Sequence, residues 1–321
     1  MGTEQFEKQG AVLLAQSDGC TVWRFRNETG EGTMTTYEIF PGVMLSFNDF
    51  HMEYFESRYV ADRRVFAIDH CREGRMEYSP TDNMLAYTAA GDIKLDLREQ
   101  HTGTFVFPSH HYHGLTVGFD REIVRESLPQ EIRDFPVTPE TIIARWALGA
   151  YPRVVHGAEE AEHLFNELYR VPEKILIPYF KVKILELLLY LDVMDIPKDE
   201  VSPPYFYKTQ VETVKAIKEF LTKHITENFT QEELSRRFQI PMTPMKTCFR
   251  SVYGAAIGTW LTQYRMNLAA ELLLSDRSLS IAEIGGRVGY DNAGKFTEAF
   301  KRVMHFTPSE YRKERGLRYE N

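Results

Sequence analysis

The stretch Ser280–Arg312, SIAEIGGRVGYDNAGKFTEAFKRVMHFTPSEYR, holds the densest set of local structure signals in the chain. Ser280 stands three residues before Glu283, so each side chain can satisfy the other's backbone N–H, and a helix starts there. Gly289 closes that helix, and Asp291 or Asn292 caps a second whose apolar face is Phe296, Phe300 and Val303. Lys295, Lys301 and Arg302 fall outside that face. Thr307-Pro308-Ser309-Glu310 then opens a third helix with a hydroxyl cap, proline at the first helical position and glutamate at the third. The pattern is helix-turn-helix. Its spacing fits DNA reading and fits equally a small helical bundle whose cations form a solvated face.

Working outward, 321 residues with 43% hydrophobic and 26% charged side chains suit a folded chain of about two domains. The net charge of −8 disfavours nucleic acid until the chain is divided. From Lys208 onward 18 Lys+Arg stand against 13 Asp+Glu, a net of +5, whereas 20 stand against 33 before it, a net of −13. A basic C-terminal segment on an acidic N-terminal one suits a DNA-binding module carried by a sensor. The three cysteines, Cys20, Cys71 and Cys248, are odd in number and far apart, which supports neither a disulfide framework nor a cysteine zinc cluster and fits a reducing cytoplasm. Cys248, beside Phe249, is expected to be a small buried apolar residue. The opening MGTEQFEKQG has no apolar run of signal type. Ile175–Met194 is the most apolar segment, but Pro178, Lys181, Lys183, Glu186 and Asp192 interrupt it, so no membrane span is expected.

From Val12 to about Asp120 short β-rich runs alternate with turn residues. The strands are expected at Cys20–Phe25, Met34–Ile39, Val43–Phe47, Val65–His70, Gly74–Tyr78, Met84–Thr88, Ile93–Leu97, Gly103–Phe107 and Leu115–Phe119, a barrel or sandwich. After Asp120 the period becomes helical. Thr138-Pro139-Glu140 opens a helix carrying Ile142, Ile143 and Trp146; others follow over Ala158–Tyr169 and Glu173–Met194. Their apolar surface is available for packing on the strands and for a dimer interface. A proline-bearing break, IPKDEVSPPYFYKTQ, separates them from a helical remainder.

That remainder repeats the opening pattern. Val211–Glu227 is amphipathic, Thr230-Gln231-Glu232-Glu233 is a second capping box, and a turn at Gln239–Met242 leads into a helix over Thr243–Tyr253, ended by Gly254. A helix over Ile257–Leu274 then joins two helix-turn-helix units. At about 27 Å it spaces two recognition helices roughly one turn of DNA apart, about 34 Å.

Over about Thr230 to Arg312, through YRMNLAAELL, IAEIGGRVGYDNAGKFTEAFKR and TPSEYR, the chain resembles the AraC family of bacterial transcription regulators. Its N-terminal part is more weakly similar to the cupin-like sensor of siderophore-type members, through PGVMLSFNDFH and FVFPSHHYHGLTVGFD. The resemblance implies an α+β protein: a cupin-like β-barrel sensor over residues 1–135, a helical dimerisation region over 136–195, a linker over 196–209, and an all-α DNA-binding domain with two tandem helix-turn-helix units over 210–321. It implies an activator whose partners are double-stranded promoter DNA, RNA polymerase, an unknown small-molecule effector and a second copy of the chain, with no cofactor. By position, Thr243, Lys246 and Thr247 would read bases from the first unit, and Lys295 and Glu298 from the second. Arg250, Asn292, Lys301 and Arg302 would hold the DNA backbone.

Three departures stand out. Pro241 occupies the usual place of a capping serine, which moves the expected cap to Thr243. Gly285-Gly286 sits inside a helix at a cost of about 1 kcal/mol each relative to alanine. His305 replaces a glycine, so a left-handed turn there would be strained.

The segment His110-His111-Tyr112-His113 carries the competing reading, a metal-binding cupin enzyme with a helical regulatory domain. As a strand it points His111 and His113 to one face, with His51, Glu53, His70 or Glu77 as further ligands. No second ligand spacing supports that set, so no metal and no catalytic residue is assigned, and no nucleotide loop or nucleophile elbow is present. Tyr37, Phe47, Tyr87, His111 and His113 are the candidates for lining an effector pocket, and the same aromatic residues suit a core equally well. A protein-interaction module without DNA binding is the third reading, resting on the modest +5 charge and the short side chains of Ala293 and Gly294.

Overall fold

The computed structural model describes residues 11–17, 19–59, 65–81, 83–98, 101–127, 135–149, 152–157, 159–194 and 205–316. They form two compact units, Met1–Tyr205 and Phe206–Asn321. Most of the expected linker over 196–209 lies outside the described residues.

The first unit is an antiparallel sheet curled into a half-barrel, with helices on one face. Its strands are β1 (Val12–Ser17), β2 (Cys20–Asn27), β3 (Gly30–Phe40), β4 (Val43–His51), β5 (Tyr54–Tyr59), β6 (Val65–Thr81), β7 (Met84–Ala89), β8 (Ile93–Arg98), β9 (His101–Val106), β10 (Tyr112–Asp120) and β11 (Arg153–Val155). The order runs β1-β2-β3-β4-β10-β6-β7, with β8 and β11 continuing from β6, and β9 and β5 on another branch. Two expected strands, Val65–His70 and Gly74–Tyr78, are one. The first half of β6 pairs with β8 and β10, the second with β7 and β9. The change of partner falls at Gly74, where φ is +81° and a Cβ would lie 2.0 Å from the His111 carbonyl oxygen, so only glycine fits.

Strand alternation divides the sheet into two unlike faces. One carries Tyr37, Leu45, Val117, Ile68 and Leu95 in cross-strand register. It is covered by α1 (Arg121–Ser127), α2 (Pro139–Arg145), α3 (Glu159–Leu168) and α4 (Leu176–Val193), whose Ile142, Trp146, Leu164, Phe165, Phe180, Ile184 and Leu188 join the same core. The Trp146 indole N–H donates to the Leu191 carbonyl at 3.0 Å, which satisfies its one polar atom.

The other face carries a polar row in the same register: Thr36, Ser46, Thr116, Asp69 and Lys94. Thr116 donates to Asp69 Oδ1 at 2.6 Å, and Lys94 Nζ lies 3.1 Å from Asp69 and 2.9 Å from Asp96. Arg98 closes the network on both carboxylates. Burial alone would raise the Asp69 pKa, but Arg98 and Lys94 hold it below the usual carboxylate range. A buried network of this kind contributes little net stability, but removing one member strands its partners.

The second unit is helical: α5 (Lys208–Lys223), α6 (Gln231–Arg237), α7 (Met242–Tyr253), α8 (Ile257–Ser275), α9 (Ile281–Arg287), α10 (Ala293–Met304) and α11 (Pro308–Gly316). The expected capping boxes form at Thr230 and Ser280, and Thr307 and Glu310 cap each other across the start of α11. At 19 residues α8 is about 28 Å long. It packs against α7 on one side and against α9, α10 and α11 on the other.

The two glycines inside α9 differ in cause. A Cβ at Gly285 would lie 3.2 Å from the Phe296 ring, so that glycine lets α10 pack close; a Cβ at Gly286 would meet nothing within 4 Å. Gly286→Ala should therefore raise stability by about 0.5–1 kcal/mol through helix propensity alone. Gly285→Ala should recover less, or lose stability, because Phe296 must move. Urea midpoints of the two variants, at unchanged slope, check this.

Candidate nucleic-acid interface

On α7 the side chains of Thr243, Lys246, Thr247 and Arg250 are all exposed, at the i, i+3, i+4 and i+7 spacing of one helix face. Met245, Cys248, Phe249 and Val252 are buried behind them, which places Cys248 where the sequence expects it. The Thr247 hydroxyl donates to the Thr243 carbonyl at 3.0 Å. The expected shift of the cap to Thr243 does not occur. The N-cap is Pro241, without a side-chain bond, and α7 begins at Met242. Pro244, third in the helix, costs no hydrogen bond because the first four N–H groups have no intrahelical acceptor.

On α10 the cap is Asn292 rather than Asp291. Its Oδ1 accepts from the Lys295 N–H at 2.9 Å. Ala293, Gly294, Lys295, Glu298, Lys301 and Arg302 are exposed, and Phe296, Ala299 and Phe300 are buried. His305 has φ 64°, the left-handed conformation at the end of α10 that a glycine would adopt without strain.

A residue that sequence reasoning passed over holds these parts together. Arg265, in the middle of α8, is 7% exposed. Its guanidinium donates to the Ile225 carbonyl at 2.9 Å, the Glu227 carbonyl at 2.7 Å and Asn228 Oδ1 at 3.0 Å, all in the loop before α6. Gly289, in the turn between α9 and α10, has φ +84°, and a Cβ there would come within 2.9 Å of both Arg265 Nη2 and the Ile225 carbonyl oxygen. Burial lowers the Arg265 pKa below its ordinary value. The available signal was an arginine among the apolar residues of YRMNLAAELL. A similar tie joins Arg312 Nη2 to the Leu279 carbonyl at 2.8 Å.

In the first unit three of the five proposed pocket residues, Tyr37, Phe47 and His113, are linked through Phe180 and Tyr169. Tyr37 and Phe47 meet edge to face at 6.1 Å and pack on Phe180. Phe47 reaches Tyr169, against which His113 also lies, at 5.3 and 5.2 Å. Tyr87 is apart from them, its hydroxyl bonded to buried Glu77. His111 stacks on His51 at 5.0 Å. Of the other candidate ligands, His70 is buried flat against Phe165, with its pKa lowered to about 4 chiefly by burial, and Glu53 pairs with His110 at 3.6 Å. His70 and Glu77 therefore do not join His111. Among the described residues no helix is long and apolar enough to cross a membrane.

Residues 234–314, which run from α6 into α11, match a family described as a helix-turn-helix domain. Over 99 residues the chain is 31% identical to the HTH-type transcriptional regulator ExsA of Pseudomonas aeruginosa, covering 31% of this chain and 35% of that protein. Over 98 residues it is 32% identical to the virulence regulon transcriptional activator VirF of Yersinia enterocolitica, covering 29% and 36%. Among solved structures it is 33% identical to the C-terminal domain of AraT, a response regulator from Geobacillus stearothermophilus, over 32% of this chain and 84% of that one, with a TM-score of 0.30.

Residues 234–314 carry a helix-turn-helix domain similar to those of AraC-family regulators.

The matches span about a third of the length of the first two relatives. Both of these relatives are named as transcriptional regulators or activators, and neither as an enzyme. Within this chain's helical unit Arg265 bears a specific burden. Arg265→Met should leave two carbonyls and an amide oxygen without their donor and destabilise the unit by about 2–4 kcal/mol. Chemical denaturation followed by the fluorescence of Trp260, in α8, measures this, and a loss under about 0.5 kcal/mol would contradict the role.

Proposed function

We propose that this chain is a sequence-specific DNA-binding transcriptional regulator, with α6–α7 and α9–α10 as two helix-turn-helix units that enter successive major grooves. The observation that carries the reading is the exposed face Thr243, Lys246, Thr247, Arg250 on α7, backed by a buried apolar one. Lysine donates to guanine O6 and N7, and threonine contacts a polar edge or a thymine methyl. On α10, Lys295 and Glu298 have the reach for bases, while Arg250, Asn292, Lys301 and Arg302 hold phosphates. A relative named as a transcriptional activator supports activation, which this reading sets at promoters, with RNA polymerase, in the cytoplasm. The half-barrel is the cupin-like sensor, and a small-molecule effector binding it better in one state than another shifts the DNA-binding equilibrium.

Lys246→Ala should weaken binding to the selected site by about 1–3 kcal/mol and relax its base preference. Lys301→Ala should weaken binding to every sequence alike and flatten the salt dependence by about one charge. Fluorescence anisotropy on fragments selected by the purified protein, at two salt concentrations, separates the two. Equal effects of both substitutions on all sequences would overturn the assignment, and the absence of any selected motif would overturn DNA reading itself.

The helical layer supports dimerisation. On α4 and the turn before it, Ile175, Val182, Leu189 and Val193 are 48%, 63%, 41% and 72% exposed, at spacings of seven, seven and four residues along one stripe. Two copies burying this stripe would remove it from water. Val182→Glu should shift the chain from dimer to monomer in sedimentation; a dimer that persists unchanged would place the interface elsewhere.

A further inference from the structure

We infer that the first unit carries an exchangeable site for a divalent first-row transition-metal ion, held by Asp49, His51 and His111. These side chains come from two sequence regions sixty residues apart and meet through strand register. Phe50 pairs with Tyr112 and Asp49 with His113 across β4 and β10, so Asp49, His51 and His113 share one face, and His111 immediately precedes β10 beside them. The potential ligand atoms of Asp49, His51 and His111 all lie within 4.8 Å of one another.

The local chemistry fits such an ion. His51 Nε2 is 3.0 Å from Asp49 Oδ1, already close to the spacing of about 3.3 Å that two ligands take around a tetrahedral ion at bond lengths near 2.0–2.1 Å. The His111 ring stacks on His51 at 28° between planes, with a ring nitrogen within 4.8 Å of the other two ligand atoms, a gap that side-chain rotation would have to narrow for all three to bind one ion. Two imidazoles and one carboxylate select zinc, nickel, cobalt or iron over magnesium or calcium, which prefer oxygen alone. The neutral imidazoles of His51 and His111 would each give a ring-nitrogen lone pair, keeping their N–H on the other ring nitrogen, with the Asp49 carboxylate as third ligand and water in the remaining position. Glu31, paired with His51 across β3, adds a carboxylate on the same face.

The site is open. The His51 and Asp49 side chains are 64% and 49% exposed, so the bound ion keeps solvent access and exchanges, unlike a closed structural zinc. His113 is not part of the set. Its ring lies edge-on to Tyr169. Asp49 is the ligand that completes the group, and it stands two residues before His51, the spacing that puts both on one face of β4.

The test is direct binding to the full chain, needing no DNA, so its outcome is independent of the DNA-binding proposal. Calorimetric titration with Zn²⁺, and the visible absorption of bound Co²⁺, should show one equivalent bound with an affinity on the order of 1–10 µM, and no heat with Mg²⁺. His51→Ala, His111→Ala and Asp49→Asn should each weaken it at least tenfold, a loss on the order seen when a metal site is stripped of support. Since these residues are on the surface, the metal-free melting temperatures should stay unchanged, which separates ligand loss from misfolding. No uptake of Zn²⁺ or Co²⁺ at about 100 µM, or full uptake retained by the His51→Ala/His111→Ala double variant, would overturn the site.

Discussion

The second unit depends on the guanidinium of Arg265. Five N–H donors fixed in a plane let one side chain satisfy the Ile225 and Glu227 carbonyls and the Asn228 amide together. Those acceptors lie in the loop that precedes α6, while Gly289 of the α9–α10 turn presses against the same group. One buried cation on the connecting helix thereby fixes the entry to the first helix pair and the turn of the second. Lysine could not replace it, because a point charge with three rotatable donors does not match three acceptors held in a fork. If both pairs act on DNA, the precision of their spacing rests on this contact as much as on the length of α8.

The first unit solves a different problem. A sheet with helices on one face must bury the strands' apolar residues on that side, and the row Tyr37, Leu45, Val117, Ile68, Leu95 does so in strict register. The opposite row is polar and nevertheless buried at Thr36, Asp69 and Lys94. Its charges balance through Asp69, Asp96, Lys94 and Arg98, so no ion is left without a partner within that network. Register is doubly specified by this arrangement: a slip of one residue would put the apolar row on the charged side and the charges among Phe165 and Phe180.

The legible parts of the sequence were those with local chemistry. Capping boxes at Thr230 and Ser280, the hydroxyl cap at Thr307 and the periodicity of α7 and α10 depend on residues within four positions of each other, and the structure forms each where the spacing puts it. Contacts of long sequence separation were not legible. The meeting of Asp49 with His111 follows from strand pairing, and the tie of Arg265 to Ile225 spans 40 residues. The aromatic residues Tyr37 and Phe47 read as pocket or core with equal ease, and only the position of Phe180 shows them packed under α4. Pro241 misled the boundary of α7 because a proline in place of a capping side chain suggests a later start, whereas the first turn tolerates the missing bonds.

The two exposed helix faces are unequal, and the inequality has a physical basis. On α7 the exposed residues of the first two turns include Thr243, Lys246 and Thr247, all with polar side chains. On α10 the first two positions are Ala293 and Gly294, and a Cβ at Gly294 would lie 3.1 Å from Asn292 Oδ1, the atom that caps the helix. Side-chain length at the start of α10 is therefore traded against the cap. A short start lets the helix end approach closely, where its unpaired N–H groups and positive dipole end favour a phosphate over a particular base. Under the DNA-binding reading, sequence discrimination then falls mainly on α7, and α10 with Lys301 and Arg302 supplies affinity that is sensitive to salt and indifferent to sequence.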